Sequence, residues 1–435
     1  MNWIDPPSDT TELRARVVPF QVSLQRIDAD AAKVVKRLVR GGHQAYLVGG
    51  CVRDLLLQRS PKDFDVATSA RPNEVRGLFR NCRIIGRRFR LAHVLFGRDK
   101  VVEVATFRKD PALTIEAPDP WEDPESEPDA APRVTSKKDR DDEDLLIRHD
   151  NVFGTPSEDA VRRDFTMNAL FLDLERREVI DYVGGLDDLE RRVIRTIGDA
   201  DVRFREDPVR ILRALKFAAR LDLAFEPDVY DAIVVHREDL LRAARPRLLE
   251  EVLRLCRGGA SRRSFWLAQD TGVLAVILPE LAAFIDDDAQ GAPRFWQRMA
   301  ALDALVQRHR TPGDAVLLAA LLYDPALEAM DGTRDVVGAV TEFLDGLLAR
   351  LAIPRRLFDR VRTLLAVQRR IRQNRVGTMN KREWWPEALL VSQLEAMARG
   401  ELDPDSRTIS APRHSDPHDD LLVRPEPAGE EVAAS

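Results

Sequence analysis

Between Asp28 and Arg40, the apolar residues Ala31, Val34, Val35 and Leu38 recur at steps of three, one and three. That spacing turns one face of a helix toward a core. Asp28 can cap its start and Gly41-Gly42 can stop it. From Ala45 to Val48 the pattern becomes a short unbroken apolar run, which reads as a buried strand. Gly49 and Gly50 break that run, and a short helix is expected from Cys51 to about Leu57. A second strand, carrying Asp63 and Asp65, follows. Pro72 stands where another helix can begin, with Val75, Leu78 and Phe79 on its buried side. Ala92 to Phe96 and Val101 to Phe107 read as two strands of a hairpin around Gly97 to Lys100. Ser157 is expected to cap the next helix, with Asp159 and Ala160 in its first turn. Met167 to Leu174 and Val179 to Tyr182 read as strands that close the sheet.

Beyond Val193 the pattern is helical. Arg203 to Phe217 reads as one helix with Pro208 in its first turn. Residues 225 to 400 follow as helix after helix, including Leu248–Cys256, Phe265–Asp270, Ala315–Leu322, Val336–Leu351 and Leu357–Ile371. The pattern therefore predicts an α+β chain: a small mixed-sheet head followed by an all-α neck and body. Residues 1–24 show no clear pattern and are expected to be loosely held.

Two segments break from this periodicity. Residues 110 to 144 are rich in Pro, Asp and Glu, and the residues after Leu402 are similar. Neither can bury enough apolar surface to order itself, so a disordered acidic insertion and a disordered acidic tail are expected. The insertion could compete with RNA for a basic cleft. These segments also change the meaning of the formal charge of −6. Glu116 to Asp144 hold 12 acids and 4 bases, and Leu402 to Ser435 hold 8 acids and 3 bases, which leaves a net of +7 on the remainder. A basic folded part suits a binder of polyanions.

The three cysteines, Cys51, Cys82 and Cys256, form no Cys-x-x-Cys pair, and the seven histidines show no ligand spacing. No secretory pattern is evident at the start, and no apolar run is long enough to cross a bilayer. A cytoplasmic protein is expected.

The chemistry concentrates in Leu47-Val-Gly-Gly-Cys-Val-Arg-Asp54 and Asp63-Phe-Asp65. Gly49 and Gly50 let backbone approach a ligand that a Cβ would block. The helix that follows presents N–H groups to phosphate oxygens, and Arg53 adds positive charge. Asp63 and Asp65, two apart on a strand, are expected to point the same way. Paired carboxylates of this kind suit Mg²⁺ that also holds substrate phosphates, here two ions. Together they suggest nucleotidyl transfer from a nucleoside triphosphate. Glu103 is either a further carboxylate at that site or an outer-face residue. Arg87, Arg88 and Arg90 crowd around Phe89, a grouping suited to a nucleic-acid backbone with a stacked base. Asp207, Arg210, Arg213 and Lys216 fall three apart and line one slanted helix face.

These motifs, with Arg162-Arg-Asp-Phe-Thr-Met-Asn168 and Arg205-Glu-Asp-Pro-Val-Arg-Ile-Leu-Arg213, resemble the ordered motifs of the class II nucleotidyltransferases. That family holds the bacterial poly(A) polymerases and the tRNA CCA-adding enzymes. The similarity covers roughly residues 25 to 260. It implies a polymerase-β-like catalytic head over 25–185, a base-selecting neck over 186–260 and an RNA-binding body over 261–400, before the tail at 401–435. It implies that Asp164 is a further catalytic carboxylate beside Asp63 and Asp65, and that Gly49, Gly50, Arg53 and Arg163 cradle the triphosphate of ATP. Asp207 and Arg210 would read the base; Arg213 and Lys216 would face phosphates or the base stack. Lys216 stands where the family usually has arginine. Gly86-Arg-Arg-Phe-Arg-Leu-Ala-His93 is similar to the form found in bacterial poly(A) polymerases. The expected reaction is therefore AMP addition to RNA 3′ ends with release of pyrophosphate. The alternatives are CCA addition to tRNA and an RNA-binding protein with an inactive site.

Overall fold

The computed structural model describes residues 14–86, 90–97, 100–109, 152–287 and 291–402. The expected acidic insertion, and all but the first two residues of the expected tail, lie outside them. The head is an eight-stranded mixed sheet in the order β1-β8-β7-β2-β3-β6-β5-β4. In chain order these are β1 (Arg16–Pro19), β2 (Ala45–Val48), β3 (Asp65–Thr68), β4 (Cys82–Ile85), β5 (Leu91–Phe96), β6 (Lys100–Thr106), β7 (Leu170–Asp173) and β8 (Glu178–Asp181). All neighbours are antiparallel except β3 and β6.

Helices α1 (Ala29–Arg40), α2 (Gly50–Leu56), α3 (Pro72–Leu78), α4 (Pro156–Val161) and α5 (Gly185–Arg191) belong to the head. Asp28 caps α1 by accepting from the Asp30 and Ala31 amides, and Ala31, Val34, Val35 and Leu38 are buried, as the spacing predicted. Alternation along the strands separates two apolar clusters. Leu47 and Val66 join the main core, while Val48 and Ala67 face a smaller one with Phe107 and Phe171. Asp65 alternates with Ala67 toward the smaller cluster.

Several local expectations are corrected. β1 pairs with β8, so residues 16–19 are held by sheet hydrogen bonds and not loose. β3 begins at Asp65, and Asp63 lies before it in irregular backbone. Thr155, not Ser157, caps α4; its hydroxyl accepts from the Glu158 amide. A 3-10 turn over Thr166–Asn168 precedes the shorter β7.

A two-stranded parallel ribbon, β9 (Val193–Ile194) with β10 (Ala224–Phe225), begins the helical part. The single helix expected over 203–217 is two: α6 (Ala200–Glu206) and α7 (Val209–Leu221). Asp207 precedes a proline, whose ring disfavours helical backbone in the residue before it, and it is extended at φ −146°, ψ 87°. Next come α8 (Pro227–His236), α9 (Arg245–Arg257), α10 (Ser261–Asp270), α11 (Val273–Ile277), α12 (Pro279–Asp287) and α13 (Gly291–Gln307). The chain then runs through α14 (Asp314–Leu321), α15 (Tyr323–Ala329), α16 (Val336–Leu351), α17 (Arg355–Ala366), α18 (Gln368–Arg372) and α19 (Trp385–Ala398). One contiguous apolar core continues from the head sheet into these helices. α7 carries much of that continuity: ten of its thirteen residues are buried, among them Ile211, Leu212, Leu215 and Phe217.

Candidate active site

The site begins where β2 gives way to α2. Gly49 sits at φ +72°, a backbone region that side-chain-bearing residues rarely adopt. A Cβ on Gly49 would also come within 3.1 Å of Arg163 Nη1. The glycine therefore serves two ends: it makes the turn and lets a guanidinium lie across it. Arg163 is fixed there by Asp159, which accepts from its Nη2 at 2.9 Å, and by the Asn168 carbonyl at 3.2 Å. Its guanidinium also stacks on Phe171.

Asp65 stands opposite Val48 in the β2–β3 ladder, so it lies immediately beside the turn. β3 and β6 run parallel with Val66 beside Val104, which places Glu103 next to Asp65. Asp65 begins β3, between β2 and β6, and is exposed to solvent. Desolvation by the surrounding backbone, with Glu103 and Asp63 nearby, pushes its carboxyl up to about 6, and Arg163 opposes the rise. Glu103 is approached by His93 Nε2 at 3.3 Å, directly across the β5–β6 ladder. The arrangement is thus a patch of crowded carboxylates beside a glycine turn, with Arg163 as the nearest cation. Among the described residues, no group of three or more His, Cys, Asp and Glu side chains is gathered as a closed metal cage.

Arg53 faces elsewhere than expected. It is buried, and its guanidinium donates to Asp54 Oδ1 from Nε and Nη2 at 2.9 and 2.7 Å, and to Asn168 Oδ1 from Nη1 at 2.5 Å. The other Asp54 oxygen accepts from Arg220 on α7 at 3.3 Å. A Cβ on Gly50 would sit 3.5 Å from Arg53 Nη2, an ordinary contact, so this arginine does not itself require the glycine. Arg53 thus ties α2 to the interior, which is a positioning arrangement and not a free charge at the helix start.

Asp164 is placed similarly. Oδ2 accepts from Arg213 Nε and Nη2, and Oδ1 accepts from the Phe165 amide and Asn168 Nδ2. Burial alone would raise this carboxyl; the Arg213 guanidinium and the two further hydrogen bonds, from Asn168 and the Phe165 amide, hold it well below the usual carboxylate range. With both oxygens engaged it suits a fixed counter-ion, not a proton acceptor. Asn168 therefore links Arg53 of the head to Asp164, and Asp164 links to α7.

On the neck, Asp207 accepts a two-pronged contact from Arg247 of α9, at 2.8 and 2.7 Å. Arg210 is buried and donates to the Arg203 carbonyl and Glu206; its Nε stands 4.0 Å from Asp207. Lys216 donates to Glu251 of α9 at 2.8 Å. Burial and the neighbouring Arg213 pull Lys216 down to about 8 against the pull of Glu251. The structure brings Asp207, Arg213 and Lys216 against α9, whereas Arg210 turns toward α6. Arg90 is exposed at the start of β5, whereas Arg87 and Arg88 lie outside the described residues.

Reading the sequence missed Asp54, Arg220, Arg247 and Glu251. Arg220, Arg247 and Glu251 carry no local signal, because each acquires meaning only from a partner on another element; Asp54 stood beside its partner Arg53 within the motif.

Comparisons with known proteins converge on this arrangement. The model of the poly A polymerase head domain matches residues 45–195. A second, described as the probable RNA and SrmB-binding site of polymerase A, matches 222–285. Poly(A) polymerase I of Salmonella typhi is 38% identical over 375 residues, covering 83% of this chain and 76% of that protein. The CCA-adding enzyme of Bacillus velezensis is 33% identical over 280 residues, 64% of this chain and 62% of that one. In fold, the chain is similar to the Bacillus stearothermophilus CCA-adding enzyme solved with CTP: TM-score 0.59 and 26% identity, over 86% of this chain and 78% of that one.

Proposed function

The chain belongs to the class II nucleotidyltransferases, the family of bacterial poly(A) polymerases and CCA-adding enzymes, and from this membership we propose the following reading of its chemistry. It is a template-independent polynucleotide adenylyltransferase that adds AMP from ATP to RNA 3′ ends and releases pyrophosphate. One observation favours this over CCA addition: likeness to poly(A) polymerase I spans 83% of the chain at 38% identity, against 64% at 33% for the CCA-adding enzyme.

The triphosphate lies over the Gly49 turn, where Arg163 offers donors to its oxygens. Asp63 and Asp65 would hold Mg²⁺, and substrate phosphates would complete its coordination, as this hard cation prefers. The fit rests on the crowding itself: Asp65, whose affinity for protons is raised by desolvation and by the neighbouring Glu103 and Asp63, is stabilised by a cation placed beside it. Bound Mg²⁺ supplies a lowered pKa for the attacking hydroxyl and neutralisation of the leaving phosphates. The protein's own part is positioning. Arg53, Asn168, Asp164 and Arg213 lock the turn to α7, so the triphosphate site and the base-reading face keep one spacing. Asp207 and Arg210 present an acceptor and a donor to the base edge.

Incubating the protein with ATP or CTP on an unstructured RNA, and on tRNA lacking its 3′ end, tests this reading. Long A-tails on the unstructured RNA with ATP alone are expected. Ordered addition of C, C and A restricted to the tRNA would overturn it in favour of the CCA-adding reading.

A further inference from the structure

The segment 355–375 carries eight arginines and a single acid, Asp359. It forms α17, α18 and the turn after them, and its apolar side, with Phe358, Val361, Leu364 and Leu365, is buried in the body. Core packing explains those apolar residues but not the arginines. Arg355, Arg360 and Arg362 have acidic neighbours in Asp359, Glu383 and Glu387. Arg356, Arg369, Arg370, Arg372 and Arg375 are exposed and have no ion pair among the described residues.

The surface here is also concave. An open groove of about 550 Å³ is lined by Arg355, Arg356, Arg360, Thr363 and Trp384, together with Asp359. A second, of about 380 Å³, lies where Arg369, Arg372 and Gln373 meet Leu327 of α15 and Met330 and Asp331 just after it. Five unpaired arginines crowded on one short segment repel one another, and a polyanion relieves that repulsion by replacing loosely held counterions. Trp384, half-buried at the edge of the first groove, adds an aromatic surface of the kind on which a base stacks.

The position fits a strand leaving the active site. α9, which touches the base-reading face through Arg247 and Glu251, packs on α14 and α16, and α17 packs on the same two helices. At helix spacings of about 8–10 Å, α17 is therefore on the order of 25–30 Å from α7. We propose that α17 and α18 form a track for the phosphate backbone of RNA several nucleotides upstream of the 3′ end. This track lies outside residues 222–285, the region matched by the RNA-binding model. The inference rests on the adenylation reading for the direction of the strand.

The test compares a 30-nucleotide RNA with a 3-nucleotide RNA, too short to reach the track, as substrates of the full chain. The charge-removing variant is Arg356→Gln with Arg369→Gln, Arg370→Gln, Arg372→Gln and Arg375→Gln. Expected is a rise of about 10-fold or more in KM for the long RNA. The slope of log affinity against log salt should become shallower by about 3.5, since each of the five lost contacts to a single strand removes about 0.7. AMP addition to the short RNA should be unchanged; its absence in the unsubstituted protein would instead count against the adenylation reading. The corresponding five Arg→Lys changes should retain most of the affinity, which separates charge from folding. The pair Arg356→Gln and Arg375→Gln, less demanding on the fold, should produce a proportionate part of the slope change. Unchanged KM and salt slope for the long RNA would overturn the proposal. So would tighter RNA binding by the five-fold variant, which would mark the strip as the seat of an acidic segment of protein.

Discussion

Arg213 of α7 donates two hydrogen bonds to one oxygen of Asp164, at 2.8 and 2.6 Å, and so fastens the helical part to the catalytic sheet. Both side chains are mostly buried, so removing either partner strands a charge. Arg213→Ala and Asp164→Ala should each lower unfolding free energy by about 3 kcal/mol. The double variant should lose clearly less than the sum, because the two share one interaction. The pH dependence follows in sign. Asp164 has a depressed folded-state carboxyl, so its contribution is present above the ordinary aspartate range and is lost as pH falls through the lower folded-state value. Urea unfolding at pH 7 and at pH 3 should show the Asp164→Asn penalty shrinking at the acid end.

Asp65 has the opposite sign. Its folded carboxyl is raised to about 6, so the folded state holds a proton more readily than the unfolded chain between about 4 and 6, and stability falls as pH rises through that window. Asp65→Asn removes the repulsion and should stabilise the metal-free protein at pH 7 by about 1 kcal/mol, a figure reduced for the solvent-open side of the residue. Mg²⁺ competes with that proton for the carboxylate, so at limiting Mg²⁺ activity should fall as pH drops below about 6, and raising Mg²⁺ should restore it. Thermal unfolding and a pH–rate profile check the two halves separately.

Gly49→Ala meets two obstacles at once: a positive φ, and the Arg163 guanidinium 3.1 Å from the new methyl group. Displacing Arg163 should lower kcat/KM for ATP at least about 10-fold, roughly 1.4 kcal/mol of transition-state stabilisation. RNA affinity, measured by a gel shift without ATP, should stay unchanged.

How far these relationships could be read in advance varies with their range in sequence. Binary pattern located α1, β2 and the β5–β6 hairpin because each is decided by residues a few places apart. The Asp207–Pro208 break was also written locally, in the restriction a proline places on its predecessor. β1 escaped notice because its four residues, Arg-Val-Val-Pro, sit on an edge and bury little. The glycine turn and Asp65 were legible as a motif, and Glu103 as an acid of uncertain face. The orientation of Arg53 was not, since Asn168 and Arg220 lie 115 and 167 residues away and only the fold brings them near. Glu251 and Arg247 were silent for the same reason: a charged residue on a helix announces nothing until its partner is known.

Arg247 is the clearest of these silent residues. By holding both Asp207 oxygens it sets which way that carboxylate faces. Arg247→Ala should free Asp207 and reduce the preference for ATP over CTP by about 10-fold, near 1.4 kcal/mol of discrimination. Its effect on stability should be small, because Arg247 is more than half exposed. Competing ATP and CTP in one reaction, with the two products resolved by length and composition, measures the ratio directly.

The proposed reaction requires the carboxylates beside the glycine turn, and one comparison tests that most directly: incorporation of labelled AMP into RNA by the unsubstituted protein and by a variant with Asp63→Ala and Asp65→Ala. The account predicts that the variant binds RNA with nearly unchanged affinity and adds no nucleotide at any Mg²⁺ concentration. AMP addition by that variant at even a tenth of the normal rate would contradict it.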